Sequence, residues 1–157
     1  HRVIVNLPAQ VHQLLRDWVE RNELLEIAPN VGVTFHCWFV TDSGYDSLQL
    51  LLKTMELYQD KMKYTIIRNH GRADDFEALN NNADIQQLAA KYQATFVDFP
   101  TLIGSVVRNR LDAESLSFGA ALRRDDFNII EKQRIRKFLR EAYACFDRTG
   151  LFTDDQP

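Results

Sequence analysis

No apolar run in this 157-residue chain approaches the roughly 20 residues that a helix needs to cross a bilayer. The longest, residues 31–40, is interrupted by Thr34 and His36 and reads as a strand. At the start of the sequence as written there is no basic stretch followed by apolar and small-residue regions, so the pattern of a secretory signal is missing. Cysteine is scarce. Cys37 and Cys145 stand far apart in apolar segments without short ligand spacing, and are expected to be buried free thiols of a protein in the reducing cytoplasm. His12, His36 and His70 also lack metal-ligand spacing, and His36, inside a strand, is expected to be a satisfied core residue. A formal net charge of −3 gives no overall attraction to nucleic acid. Ser43-Gly44 lacks the G-x-S-x-G frame of a nucleophile elbow. No spacing singles out two of Asp42, Asp46, Asp98 and Asp112 as an acid/base pair, and caps and turns are their expected roles.

What is present fits one globular domain: 45% of residues are hydrophobic and 26% charged. The length admits a single sizeable core, expected over residues 1–150, with a short tail over 151–157 that frays from Thr153. No internal repeat or linker divides it. The β-branched run Val3-Ile4-Val5 reads as a strand buried on both faces, broken by Asn6, Pro8 and Ala9. Val11, Leu14, Leu15 and Trp18 then fall on one face of an amphipathic helix. Val33 to Val40 predicts a second strand, ended by Thr41-Asp42-Ser43-Gly44. Asp46 or Ser47 is expected to cap the next helix, whose apolar stripe is Leu48, Leu51, Leu52, Met55 and Tyr58. A third strand runs through Tyr64 to Ile67, and a fourth over Ala94 to Phe99 is closed by Pro100. Between them Asn80-Asn81-Asn82 is a break or cap before a helix bearing Ile85, Leu88, Ala89 and Tyr92. A helix is expected to begin within Leu102 to Arg110, and Ser117 caps a short one. The closing helix carries Ile135, Phe138, Leu139, Ala142 and Phe146 on its apolar stripe and ends near Gly150.

Strands alternating with helices imply an α/β, Rossmann-like, mainly parallel sheet with helices on both faces. In such a fold the strand ends Asn6 to Pro8, Arg68 to His70 and Phe99-Pro100 converge on one edge, where open sheets place their ligands. Ordinary connecting loops are the plain alternative. Arg108, Arg110, Arg123, Arg124, Lys132, Arg134, Arg136, Lys137 and Arg140 make the C-terminal third locally basic. Such a cluster is either a solvated helix face or a surface for DNA phosphates or an acidic partner.

Several short motifs occur in a shared order: the run ending Val5-Asn6-Leu7-Pro8, the segment Thr41-Asp42-Ser43-Gly44-Tyr45-Asp46-Ser47-Leu48, then Ile66-Ile67-Arg68-Asn69, then Phe99-Pro100. Together they resemble the MinD/ParA-like P-loop ATPases over residues 3–122, and are most similar to plasmid members of the StbB or mobilisation-associated type. The resemblance implies that Asn69 recognises the adenine edge, that Arg68 beside it also belongs to the nucleotide-binding set, that Pro100 shapes the base pocket, and that Asn6 and Pro8 occupy the switch-strand end. It implies ATP or ADP with magnesium as cofactor, a homodimer formed by nucleotide sandwiching, a DNA or DNA-bound partner, and a role in plasmid partition, stability or mobilisation.

Two departures limit the expected activity. Asn6 stands where the family has an aspartate that serves magnesium or its water. No G-x-x-x-x-G-K-S/T or lysine-rich glycine loop occurs, so nothing in the sequence as written cradles β- and γ-phosphates, and hydrolysis is not expected from it. The chain thus looks like the C-terminal two-thirds of a larger protein, with His1 the remnant of a tag or a processing cut, and any open sheet edge is expected to be covered by a partner or a second copy. Two other functions stay open: a nucleotide-free protein- or DNA-interaction module on the same fold, and a small-molecule α/β enzyme using the same crevice.

Overall fold

The computed structural model describes residues 2–8 and 11–152. Three strands, β1 (His36–Thr41), β2 (Lys63–Asn69) and β3 (Thr95–Phe99), form a parallel sheet in the order β1-β2-β3. Trp38 stands opposite Thr65, and Ile66 opposite Phe96. Parallel neighbours need crossovers, here supplied by α3 (Tyr45–Tyr58) and by α4 (Glu77–Asn80) with α5 (Ala83–Lys91). Tyr64, Thr65, Ile66 and Ile67 of the central strand are all buried, because both faces of the sheet are covered. On one face Leu51 and Met55 of α3 and Ile85 and Ala89 of α5 pack with Tyr64 and Ile66. The other face receives α8 (Ile129–Asp147), whose Phe146 ring lies 5.5 Å from Trp38 and 5.8 Å from Phe99. A second apolar cluster joins α6 (Ser105–Ala113), α7 (Phe118–Arg123) and α8 through Val107, Ala121, Phe127 and Ile135. The fold class is therefore the expected Rossmann-like α/β arrangement with helices on both faces. No described helix is long and apolar enough to cross a membrane.

Several local expectations hold for stated reasons. Asn82 caps α5 by accepting the Ile85 N–H at 3.0 Å, and Ser117 caps α7 by accepting that of Ala120 at 3.2 Å. His36 is satisfied by Thr65 Oγ1 at 2.9 Å. Both cysteines are free. Burial pushes the Cys37 thiol up to about 11, which leaves it protonated and unreactive.

The opening strand requires correction. Val3, Ile4 and Val5 are 86%, 79% and 70% exposed and belong to no ladder. A β-branched run becomes a strand only when a neighbour pairs it, and among the described residues none does, so the sheet has three strands rather than four. The second strand begins at His36 instead of Val33, because β2 offers its first opposing residue at Lys63. In α1 (His12–Arg21) the buried residue is Val19, while Leu14 and Trp18 of the expected stripe are 69% and 56% exposed. Val19 instead borders a groove with Leu25 of α2 (Leu24–Ile27) and with Leu57 and Tyr58 at the end of α3. The N-cap of α3 is Gly44 rather than Asp46 or Ser47. Asp42 Oδ1 takes the Gly44 N–H at 3.0 Å and Ser47 Oγ donates to Thr41 Oγ1 at 2.8 Å, so the turn starts the helix earlier. Phe152, in the expected tail, lies 5.6 Å from the Trp38 ring, whereas the fraying expected over residues 153–157 falls outside the described residues, as do Ala9 and His1.

Candidate binding cleft

β2 and β3 stop side by side at Asn69 and Phe99, and the His70 N–H donates to Phe99 O at 3.0 Å, carrying the pairing one residue beyond the strands. Pro100 has no N–H to continue the ladder, so the chain leaves the sheet there. On the β2 side, Asn69 O accepts the Arg72 N–H at 2.9 Å, and its side-chain Oδ1 accepts the Gly71 N–H at 3.0 Å. An asparagine closing a turn on itself in this way is why the strand ends where it does. The amide facing an N–H must present oxygen, so the other end of Asn69 is Nδ2, with two N–H groups to offer.

The two strand ends border a cleft of about 250 Å³ lined by Asn69, Gly71, Arg72, Phe99, Pro100, Thr101, Leu102, Arg108 and Phe138. Its apolar wall is an edge-to-face pair, Phe99 against Phe138 of α8 at 5.8 Å, beside the buried Leu102. Asn69, Thr101 and two arginines supply its polar lining. Among the described residues no carboxylate lines it. A Cβ on Gly71 would lie 3.0 Å from Asn69 Oδ1, so glycine here lets the Asn69 amide keep its position.

Of the residues that the sequence marks for this site, Asn69 and Pro100 come together in the cleft. Arg68 does not line it. Side chains alternate across a strand, so Arg68 projects from the face that carries Phe96 and Asp98. There Nη1 lies 3.3 Å from both Asp98 oxygens, Nη2 donates to Asn80 Oδ1 at 3.2 Å, and the guanidinium stacks 5.0 Å from the Phe96 centroid. His70 Nε2 is 3.0 Å from Asp98 Oδ1. Partial burial raises the Asp98 pKa, but the His70 hydrogen bond and the Arg68 charge outweigh it and hold the carboxyl below its usual range. Asn6 and Pro8 lie in the exposed 2–8 segment, outside the lining of the cleft.

Arg72, Arg108 and Phe138 escape a reading of strand ends because α6 and α8, far along the chain, bring two of them in. Only Gly71, directly after Asn69-His70, carried a local signal. The predicted basic cluster also divides. Arg110 and Arg124 pair with Glu114 and Asp126 and stack on Phe127, and Lys137 reaches Glu141 at 3.8 Å, so these three serve the fold. Among the described residues no three His, Cys, Asp or Glu side chains gather as metal ligands. Compared with protein-family models, with curated proteins and with solved structures, the chain matches none.

Proposed function

We propose that the chain binds an adenine nucleotide by its base in the cleft between Asn69 and Pro100, as the base-recognising part of a MinD/ParA-like P-loop ATPase concerned with plasmid partition, stability or mobilisation. The observation that carries this reading is the Asn69 amide, whose Oδ1 is held by the Gly71 N–H and whose Nδ2 has no partner among the described residues, in the lining of a cleft that also holds Phe99, Pro100 and Phe138. A carboxamide donates and accepts in one plane, which matches the adjacent ring nitrogen and exocyclic amine of adenine. Oδ1 retains a second lone pair after accepting from Gly71, so both arms of that pairing remain available. At about 250 Å³ the cleft lies below the roughly 300–1,000 Å³ of sites that enclose drug-sized ligands, a size suited to a base rather than to a whole nucleoside triphosphate.

The residues at hand bind and orient the base and exclude water from its apolar side. Nothing in the sequence cradles β- and γ-phosphates, and Asn6 has no charge to favour magnesium, so no hydrolytic step is assigned to them. The family resemblance further supports a nucleotide-dependent homodimer. The α8 arginines that have no carboxylate partner among the described residues, Arg134, Arg136 and Arg140, support a DNA or acidic-protein partner. Those arginines also favour the second reading, an interaction module that binds no nucleotide.

Titration of adenosine into isotopically labelled protein, followed by NMR, separates the two. Nucleotide recognition predicts a saturable shift of the Asn69 side-chain amide and weaker, still measurable binding in Asn69→Ala. Absence of binding at millimolar adenosine, or unchanged binding in Asn69→Ala, sinks the base-recognition reading and leaves the interaction module.

A further inference from the structure

We propose that Arg72 and Arg108 hold a phosphate at the mouth of the cleft, so that its ligand is a 5′-phosphorylated nucleoside rather than a free nucleoside; this rests on the base-binding reading above. Both arginines line the cleft and are exposed, and among the described residues neither has a carboxylate partner. That sets them apart from their neighbours in sequence. Arg68, four residues before Arg72, is neutralised by Asp98, and Arg110, two after Arg108, by Glu114 and Asp126. The chain is acidic overall, yet among the described residues the cleft wall contains cations and no anion. A concavity with that lining concentrates positive potential, and guanidinium groups match phosphate oxygens in a planar fork.

The turn that leads into the Arg108 helix is itself positive. Gly104 starts α6 at φ +101 with no side-chain oxygen to cap the first turn, and the Arg134 guanidinium lies against it. The Asn69 amide and the arginines therefore divide the ligand, base to one and phosphate to the others. No glycine-rich loop is needed for a single phosphate held at the rim, because charge-assisted side-chain donors suffice.

Calorimetric or NMR titration of adenosine, AMP and inorganic phosphate, each at low salt, tests this with the wild-type chain and the Arg72→Ala/Arg108→Ala variant. AMP is expected to bind roughly tenfold tighter than adenosine, about what two exposed charge-assisted contacts supply. In the double variant the ratio of AMP to adenosine affinity falls to about one, and added salt narrows the gap in the wild type. Equal binding of adenosine and AMP by the wild type overturns the phosphate site and leaves the base site standing. Retention of the gap by the double variant also overturns the assignment. Phosphate competing as well as AMP, with no adenosine binding, overturns base recognition and keeps the anion site; binding of none of the three overturns both.

Discussion

Replacing Gly71 by alanine tests the cleft at its most constrained point. The new Cβ would stand 3.0 Å from Asn69 Oδ1, closer than nine in ten such contacts, so the amide must give by a few tenths of an ångström. The hydrogen bond from the Gly71 N–H, 3.0 Å long, lengthens or turns as it does so. A net hydrogen bond contributes about 0.5–1.5 kcal/mol, so losing the fixed amide orientation weakens adenosine binding roughly two- to twelvefold. Gly71 is exposed and has no left-handed backbone requirement, so thermal stability should hardly move. The assay is an adenosine titration of the wild type, Gly71→Ala, Asn69→Ala and the double variant, with melting curves alongside. If Gly71 acts through Asn69, the double variant binds no worse than Asn69→Ala alone. Additive losses, or wild-type affinity in Gly71→Ala, would refute the reasoning.

Two further predictions concern the frame around the cleft. Asn128 Oδ1 accepts the N–H groups of Ile130 and Glu131 at 2.9 and 3.0 Å, and Glu131 Oε2 returns a bond to the Asn128 N–H at 2.9 Å, a capping box that starts the helix bearing Phe138. Asn128→Ala should cost about 1 kcal/mol, lowering the melting temperature by roughly 2–4 °C; urea unfolding with an unchanged midpoint would contradict it. Acid stability follows from Asp126, whose hydrogen bond from Arg124 leads the causes that bring its pKa down to about 2. A carboxylate depressed on folding stabilises above its unfolded pKa of about 3.9 and loses that contribution as pH falls toward 2. Asp126→Asn should therefore flatten the decline of stability between about pH 4 and 2, and an unaltered acid limb would count against the pairing.

The order of elements from β1 to α8 was legible because each carries its own local pattern. Tyr64 to Ile67 is a buried apolar run, Ser117 and Asn82 are caps in the right place, and Leu51 with Met55 recurs at helical spacing. The opening run failed for a different reason: Val3 to Val5 has strand composition, but pairing is a property of a neighbour and not of the run. Likewise the stripe on α1 gave periodicity without saying which arc would be covered, and the buried residue is Val19, beside Leu57 and Tyr58 of α3. In the cleft, Asn69 and Pro100 stood out because strand ends of an open sheet are where polar residues and prolines gather. Arg68 was drawn in with them by adjacency, and the two-residue alternation of the strand carried it to the other face.

By itself, the sequence determined the alternation of parallel strands and crossover helices, the caps, and that these 157 residues contain no glycine-rich phosphate loop, since each is written in consecutive residues. Only the tertiary structure decided what completes the cleft. Phe138 and Arg108 reach Asn69 from helices that follow the last strand, and their approach is fixed by packing of Val107 and Ile135 in the second core. Long-range packing also separated the paired arginines from the unpaired ones. Charge is local in the sequence, whereas neutralisation depends on which carboxylate the fold brings within reach.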